Sequence, residues 1–446
     1  MLPEATAYAF RLCLCVRSVG CGTPETEAVV SPTETGEHPA ETSPDPNLPG
    51  SEQASDATGT ALCTGEVTAR RIHTVESFAG MEGPTKLASI GSDIAVAWQT
   101  EHNTASGSPF PKMMRWMQLN HAGETTFGPY RIGHTRTNWG FQATFTSDGL
   151  TPAIAFRSHE YHPGWAVFFR RISTYAEVGN PIPDHRASVA NNAFAPTIEW
   201  SGREYLYAFN QDGRIGFLRY DERSTPVSLG SNADPDAERT PGTVYNDHFG
   251  MGGGASQVSQ ILHDSDTILL VVRAGSNTRI ERYDRAEDAF VSQGPNMGLA
   301  HPRGFIRDGV VALAGIEGVQ IRVLFTDFDG SLTTLGGLAT RTLHQGSAPI
   351  SQVALLNLGG ETALAFLEGE SGATRLYLAR LTSDWEATDL RAVSSEGEAA
   401  THFDALAQPD GSVALAWLST RSIPDPEDAE GPEVTERSID FARICP

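Results

Sequence analysis

The stretch His159-Glu160-Tyr161-His162 sets two imidazoles three residues apart with a carboxylate between them. A third imidazole, His102, follows Glu101 in an earlier loop. His102, His159, Glu160 and His162 together form a donor set suited to zinc or another borderline divalent metal, which would be the cofactor. The spacing falls one residue short of H-E-x-x-H, and a loop does not hold ligands as a helix does. A solvated surface pair is the competing reading.

Three arginines sit beside histidines: His134-Thr135-Arg136, His185-Arg186 and His301-Pro302-Arg303. A guanidinium offers a planar fork to a carboxylate or phosphate, so Arg136, Arg186 and Arg303 are the candidates for gripping an anionic ligand. Strand-end capping and pairing with nearby acids remain open as the alternative. Phe110, Trp139, Tyr161 and Trp165 add aromatic surface that would stack on a sugar ring or meet a protein partner, unless it packs the loops down. Other signals are weaker. Gly252-Gly253-Gly254 lacks a following Lys-Ser/Thr, so it reads as a loop and not as a phosphate cradle. Asp327-Phe328-Asp329-Gly330 reads as a hairpin turn and not as a calcium loop. No G-x-S-x-G is present.

The elements that must carry these residues follow from a repeat. IAVAW (94–98), PAIAF (152–156), YLYAF (205–209), ILLVV (268–272), VALAG (311–315), TALAF (362–366) and VALAW (413–417) are seven copies of one apolar strand. They recur roughly fifty residues apart, near the period of a four-stranded propeller blade. Each copy follows an apolar run and a polar turn such as Ser147-Asp148-Gly149, and each precedes a third strand such as AVFFRRI from Ala166. The small–large alternation predicts that alanines of one blade receive large side chains of the next. The expected fold is therefore all-β: a seven-bladed β-propeller over residues 61–446. Its ligand face would be formed by the interblade loops and the loops between second and third strands, with His301 and His344 near it.

The last unit stops after its third strand, SIDFARI, while a spare strand, EVTARRIHTV, begins at Glu66. Pairing these ends would close the ring and bring Cys63 beside Cys445, which predicts a disulfide. Of the five cysteines, the other three lie in the first 21 residues. Ser18-Val19-Gly20-Cys21 looks like a bacterial lipobox, so residues 1–21 read as an export segment with Cys21 as the lipidation site. Residues 22–60 are rich in Pro, Thr, Ser and Glu without Lys or Arg, the composition of a disordered tether.

The net charge of −23 argues against nucleic acid as a partner. No run of residues approaches the length of an apolar spanning helix, so membrane contact is expected only through an N-terminal lipid. The arrangement resembles the seven-bladed propellers of bacterial envelopes, over Cys63 to Pro446. That resemblance is architectural, because such propellers include scaffolds, lyases and hydrolases. The sequence leads first to a non-enzymatic, exported, monomeric binding or scaffold protein recognising a glycan, peptide or envelope protein at the outer surface or in the periplasm. The alternative is a metal-dependent hydrolase or lyase acting on an anionic polysaccharide.

Overall fold

The computed structural model describes residues 67–74, 85–101, 112–132, 139–158, 166–172, 193–211, 214–222, 226–228, 256–264, 267–274, 277–286, 289–294, 296–307, 309–327, 339–424 and 433–445. All named elements are strands, and each sheet is an antiparallel meander. The strand β1 (Val67–Thr74) stands apart from the sheet that follows it in sequence, which is β2 (Lys86–Ile90), β3 (Asp93–Glu101), β4 (Lys112–Leu119) and β5 (Thr125–Ile132). Next come β6 (Trp139–Ser147), β7 (Pro152–Ser158) and β8 (Ala166–Arg171), then β9 (Ala193–Trp200), β10 (Tyr205–Gln211), β11 (Arg214–Tyr220) and β12 (Pro226–Ser228). The fourth sheet is β13 (Ser256–His263), β14 (Ile268–Ala274), β15 (Asn277–Asp284) and β16 (Ala289–Gln293). The fifth is β17 (Ala300–Arg307), β18 (Val310–Glu317), β19 (Gln320–Asp327) and β20 (Ala339–Gln345). The sixth is β21 (Ile350–Asn357), β22 (Thr362–Glu368), β23 (Arg375–Leu381) and β24 (Ala387–Ala392). In the last, β25 (Ala399–Ala407), β26 (Val413–Ile423) and β27 (Val434–Ile444) take β1 as their outer strand. Val67 faces Arg443 and Thr74 faces Ser438 across that pairing.

The chain is thus an all-β propeller. The expected count of seven complete blades is corrected to six, because the sheet carrying the PAIAF copy has three strands. The stretch where its fourth strand was expected, 173–192, lies outside the described residues. Cys21 and Cys63 lie outside them as well.

The repeat occupies the second strand of every sheet, and both of its faces are buried. Ile94 to Trp98 and Val413 to Trp417 all expose 1% or less. The packing follows the alternation in the sequence. Ala95 and Ala97 share a core cluster with Ile154 and Phe156 of the next sheet, and Ala153 and Ala155 share one with Tyr205 and Tyr207. Ala363 and Ala365 likewise meet Leu415 and Trp417, while Ala414 and Ala416 meet Val96 and Trp98. A methyl group on one side leaves the space that an aromatic ring on the other fills, and the close fit keeps neighbouring sheets in one register.

Aspartates hold three of the turns between first and second strands, Asp148, Asp264 and Asp410 each accepting from backbone N–H groups of its own turn. Asp148 Oδ1 accepts from the N–H groups of Leu150 (2.9 Å) and Thr151 (2.6 Å), and Gly149 takes a positive φ of 88° that a side chain would resist.

Candidate functional site on the propeller axis

A cavity of about 600 Å³ is lined by the first strands of all seven sheets: β2, β6, β9, β13, β17, β21 and β25. Its wall contains one layer of polar residues with a common origin. Each faces the fourth residue of its sheet's repeat: Lys86 opposite Ala97, Thr144 opposite Ala155, Thr197 opposite Ala208, Gln260 opposite Val271, Arg303 opposite Ala314 and Asp404 opposite Ala416. In the sixth sheet the equivalent position is Ala354, opposite Ala365.

Most of this layer is structural. Thr144 Oγ1 accepts from Ile198 N–H at 3.0 Å, and Thr197 Oγ1 donates to the Val258 carbonyl at 2.6 Å. Gln260 donates to the Gly304 carbonyl and accepts from the Gly304 N–H, both at 2.8 Å. Gly304 is required there, since a Cβ would lie 1.8 Å from the Ala312 carbonyl oxygen. Asp404 Oδ2 accepts from Leu87 N–H at 2.9 Å, joining the last sheet to the first. Each of these bonds satisfies a backbone group of a neighbouring inner strand, so the layer works as a belt.

Two members do more than lace strands together. Arg303 Nη1 donates to Asp404 Oδ1 at 2.7 Å while a quarter of its side chain faces open space. Lys86 makes no hydrogen bond or direct ion pair among the described residues, although its charge couples to Asp404, Arg303 and Glu199. It is also one of only two lysines in a chain with 32 lysines and arginines, the other being Lys112. Burial pushes the Lys86 ammonium below its ordinary pKa, with Asp404 partly opposing that and Arg303 adding to it. Burial also pushes Asp404 upward, but Lys86, then Arg303 and the Leu87 N–H, outweigh it and hold the carboxylate ionised. Glu199, on the same wall, is pushed by burial from 4.5 up to about 7, with Arg303 pulling against it.

A second chamber of about 590 Å³ opens beyond this layer. Lys86, Ser259 and Arg303 line both spaces. The chamber also contains His301, Ser351, Gln352, Thr401 and His402, and no carboxylate lines it among the described residues. His301 and His402 are non-glycine residues with positive φ, at 49° and 47°. Each lies within a register shift of its strand, between Ala300 and Arg303 or between Thr401 and Asp404. Such bulges re-aim the side chains that follow them, here Arg303 and Asp404. Burial, reinforced by Arg273 at 3.1 Å, lowers the pKa of His301.

Of the residues singled out in the sequence, Arg303 is in the cavity wall. Trp139 begins β6, paired with Ser158. Arg136, Tyr161, Trp165, Arg186, His102, His159, Glu160 and His162 lie outside the described residues. Among the described residues no group of three or more His, Cys, Asp or Glu side chains is placed to hold a metal. His344, expected near the ligand face, clamps a loop: its Nε2 lies 2.7 Å from Glu368, which also accepts from the Ser347 N–H at 2.7 Å. Lys86, Glu199 and Asp404 were not anticipated. For Lys86 and Asp404 the one sequence signal is a polar residue at a fixed place in the strand before the repeat, visible only once the pairing register is known; Glu199, opposite Leu206, lacks even that.

The Glu199 carboxyl gives a pH dependence. Its folded pKa of about 7 exceeds its unfolded 4.5, so the folded state holds an extra proton between those values. Stability from this group is present at low pH and is lost as pH rises toward 7. His263 and His301, both lowered by burial, act in the opposite direction over part of the same range, so the variant must be compared with its parent. Urea unfolding of Glu199→Gln should show the variant gaining stability relative to wild type between about pH 5 and 8. A difference that stays constant with pH would contradict this assignment.

No family model matches the sequence, and no curated protein matches it significantly. Among solved structures the chain is similar to the β-propeller domain of the Trilobed protease from Pyrococcus furiosus, at 12% identity over 80% of this chain and 96% of that one, with a TM-score of 0.44. It is also similar to the WD40 domain of Toxoplasma gondii coronin, at 11% identity over 86% and 88%, with a TM-score of 0.44. For TolB from Acinetobacter baumannii the values are 15% identity over 68% and 64%, with a TM-score of 0.37. The chain's own sheets make it an all-β propeller, and its function has to be argued from its cavity.

Proposed function

We propose that the protein is a non-enzymatic binding module that takes a small carboxylate-bearing ligand, such as an acidic sugar or a peptide terminus, into the chamber at one end of its axis. The observation that supports this most is the chamber's lining. In a chain of net charge −23 it collects Lys86, Arg303, His301 and His402 and, among the described residues, no acid. A guanidinium and the N–H donors beside it, set in a concave and partly dry space, attract anions more strongly than the same groups on an open surface. The three-stranded sheet β6–β8 is read as the seventh blade. The packing of β3 against β26 and the pairing of β1 with β27 support a ring closed between its ends. A Cys63–Cys445 disulfide would reinforce that closure. The leader ending at Cys21 and the acidic tether support an exported, lipid-anchored setting.

The test is thermal unfolding in matched series of carboxylates and alcohols at constant ionic strength. Carboxylates should raise the midpoint, and the rise should disappear in the Lys86→Met/His402→Ala double variant. Equal midpoints in the two series would refute the reading.

A further inference from the structure

Lys86 differs from every other member of the polar layer. Thr144, Thr197, Gln260 and Asp404 each spend their hydrogen-bonding capacity on a neighbouring strand, and Arg303 is engaged with Asp404. Lys86 alone has no direct partner among the described residues, and it lines both the inner cavity and the outer chamber. A side chain kept only for its charge could be arginine, the residue this chain uses at nearly every basic position. What lysine offers that arginine does not is an amine able to lose its proton and act as a nucleophile.

We propose that Lys86 is a reactive amine that captures a small oxo acid, an aldehyde or ketone bearing a carboxylate, as a reversible Schiff base. The ligand class rests on the anion-binding reading above and sharpens it. The ligand's carboxylate would lie among Arg303, His301 and His402, leaving its carbonyl carbon to Lys86. In the step itself the amine nitrogen adds to the carbonyl carbon and a C–N bond forms. The carbon–oxygen bond then breaks, and the oxygen leaves as water with the two amine hydrogens. Glu199, which shares the inner cavity wall with Lys86, is the group assigned to give one proton to the departing hydroxyl and take one from nitrogen, so no oxidant or reductant is needed. Burial, opposed in part by Asp404 and aided by Arg303, favours the neutral amine that the addition requires, as in other lysines activated by desolvation.

Because the chain holds two lysines, the experiment is direct. The full-length protein is treated near neutral pH with glyoxylate and a mild borohydride, which reduces an imine to a stable carboxymethyl amine, and is then peptide-mapped by mass spectrometry. The expected result is modification at Lys86, with Lys112 labelled about tenfold less. Equal labelling of the two lysines, or none at Lys86, would overturn the proposal. Carboxylates that raise the unfolding midpoint without any Lys86 adduct would leave the binding reading standing and remove the reactive amine. Acetaldehyde labelling Lys86 as readily as glyoxylate would support the amine while removing the carboxylate preference.

Discussion

Replacing Asp404 by alanine is expected to cost about 3 kcal/mol or more of folding stability, because it strands charges in the propeller's centre. Asp404 is 5% exposed and accepts from both Arg303 and Leu87 N–H. Its loss leaves a guanidinium without its carboxylate, a backbone N–H without an acceptor and Lys86 without the carboxylate that most favours its charged form. The cavity hydrates part of Arg303, which places the effect toward the lower end of what broken buried pairs cost. Asp404→Asn keeps an acceptor for Leu87 and should fall between alanine and wild type. Urea unfolding at neutral pH measures both. A loss below about 1 kcal/mol for alanine would mean that water already satisfies this group.

Trp417→Ala is the second large effect, expected at about 3–5 kcal/mol. Trp417 is fully buried and shares a cluster with Ala363, Ala365 and Leu376 of the preceding sheet. Those neighbours present small side chains or rigid strand backbone, so the site cannot collapse around the void, and the cavity penalty adds to the lost burial. Equilibrium denaturation checks the value. A cost near 1 kcal/mol would show that the sheets shift to close the gap, contrary to the tight register inferred for them.

Trp417 also shows why the fold was legible. The alternation of alanine and large residues in IAVAW, TALAF and VALAW follows from sheets buried on both faces, and the observed clusters pair those alanines with those rings. The spare strand from Glu66 was legible because a meander that ends one strand short needs a partner, and β1 lies against β27. The candidate site was far less legible. Lys86, Glu199 and Asp404 lie in first strands with no shared motif, and only the pairing register places them together. Histidines in long loops stand out by residue type alone. His344 shows the weakness of that signal, since the structure uses it to hold a loop to Glu368. Arg303 stands out in the sequence because an Arg near a His suggests an anion, and in the structure it lines the cavity. Its carboxylate partner Asp404, about a hundred residues further along the chain, could not be read from spacing.

The most direct test of the account is where an anion sits in the protein. Crystals soaked in bromide should show an anomalous peak in the chamber bounded by Lys86, Arg303, His301 and His402. Bromide bound elsewhere on the protein, with that chamber free of it, would contradict an anion site on the propeller axis.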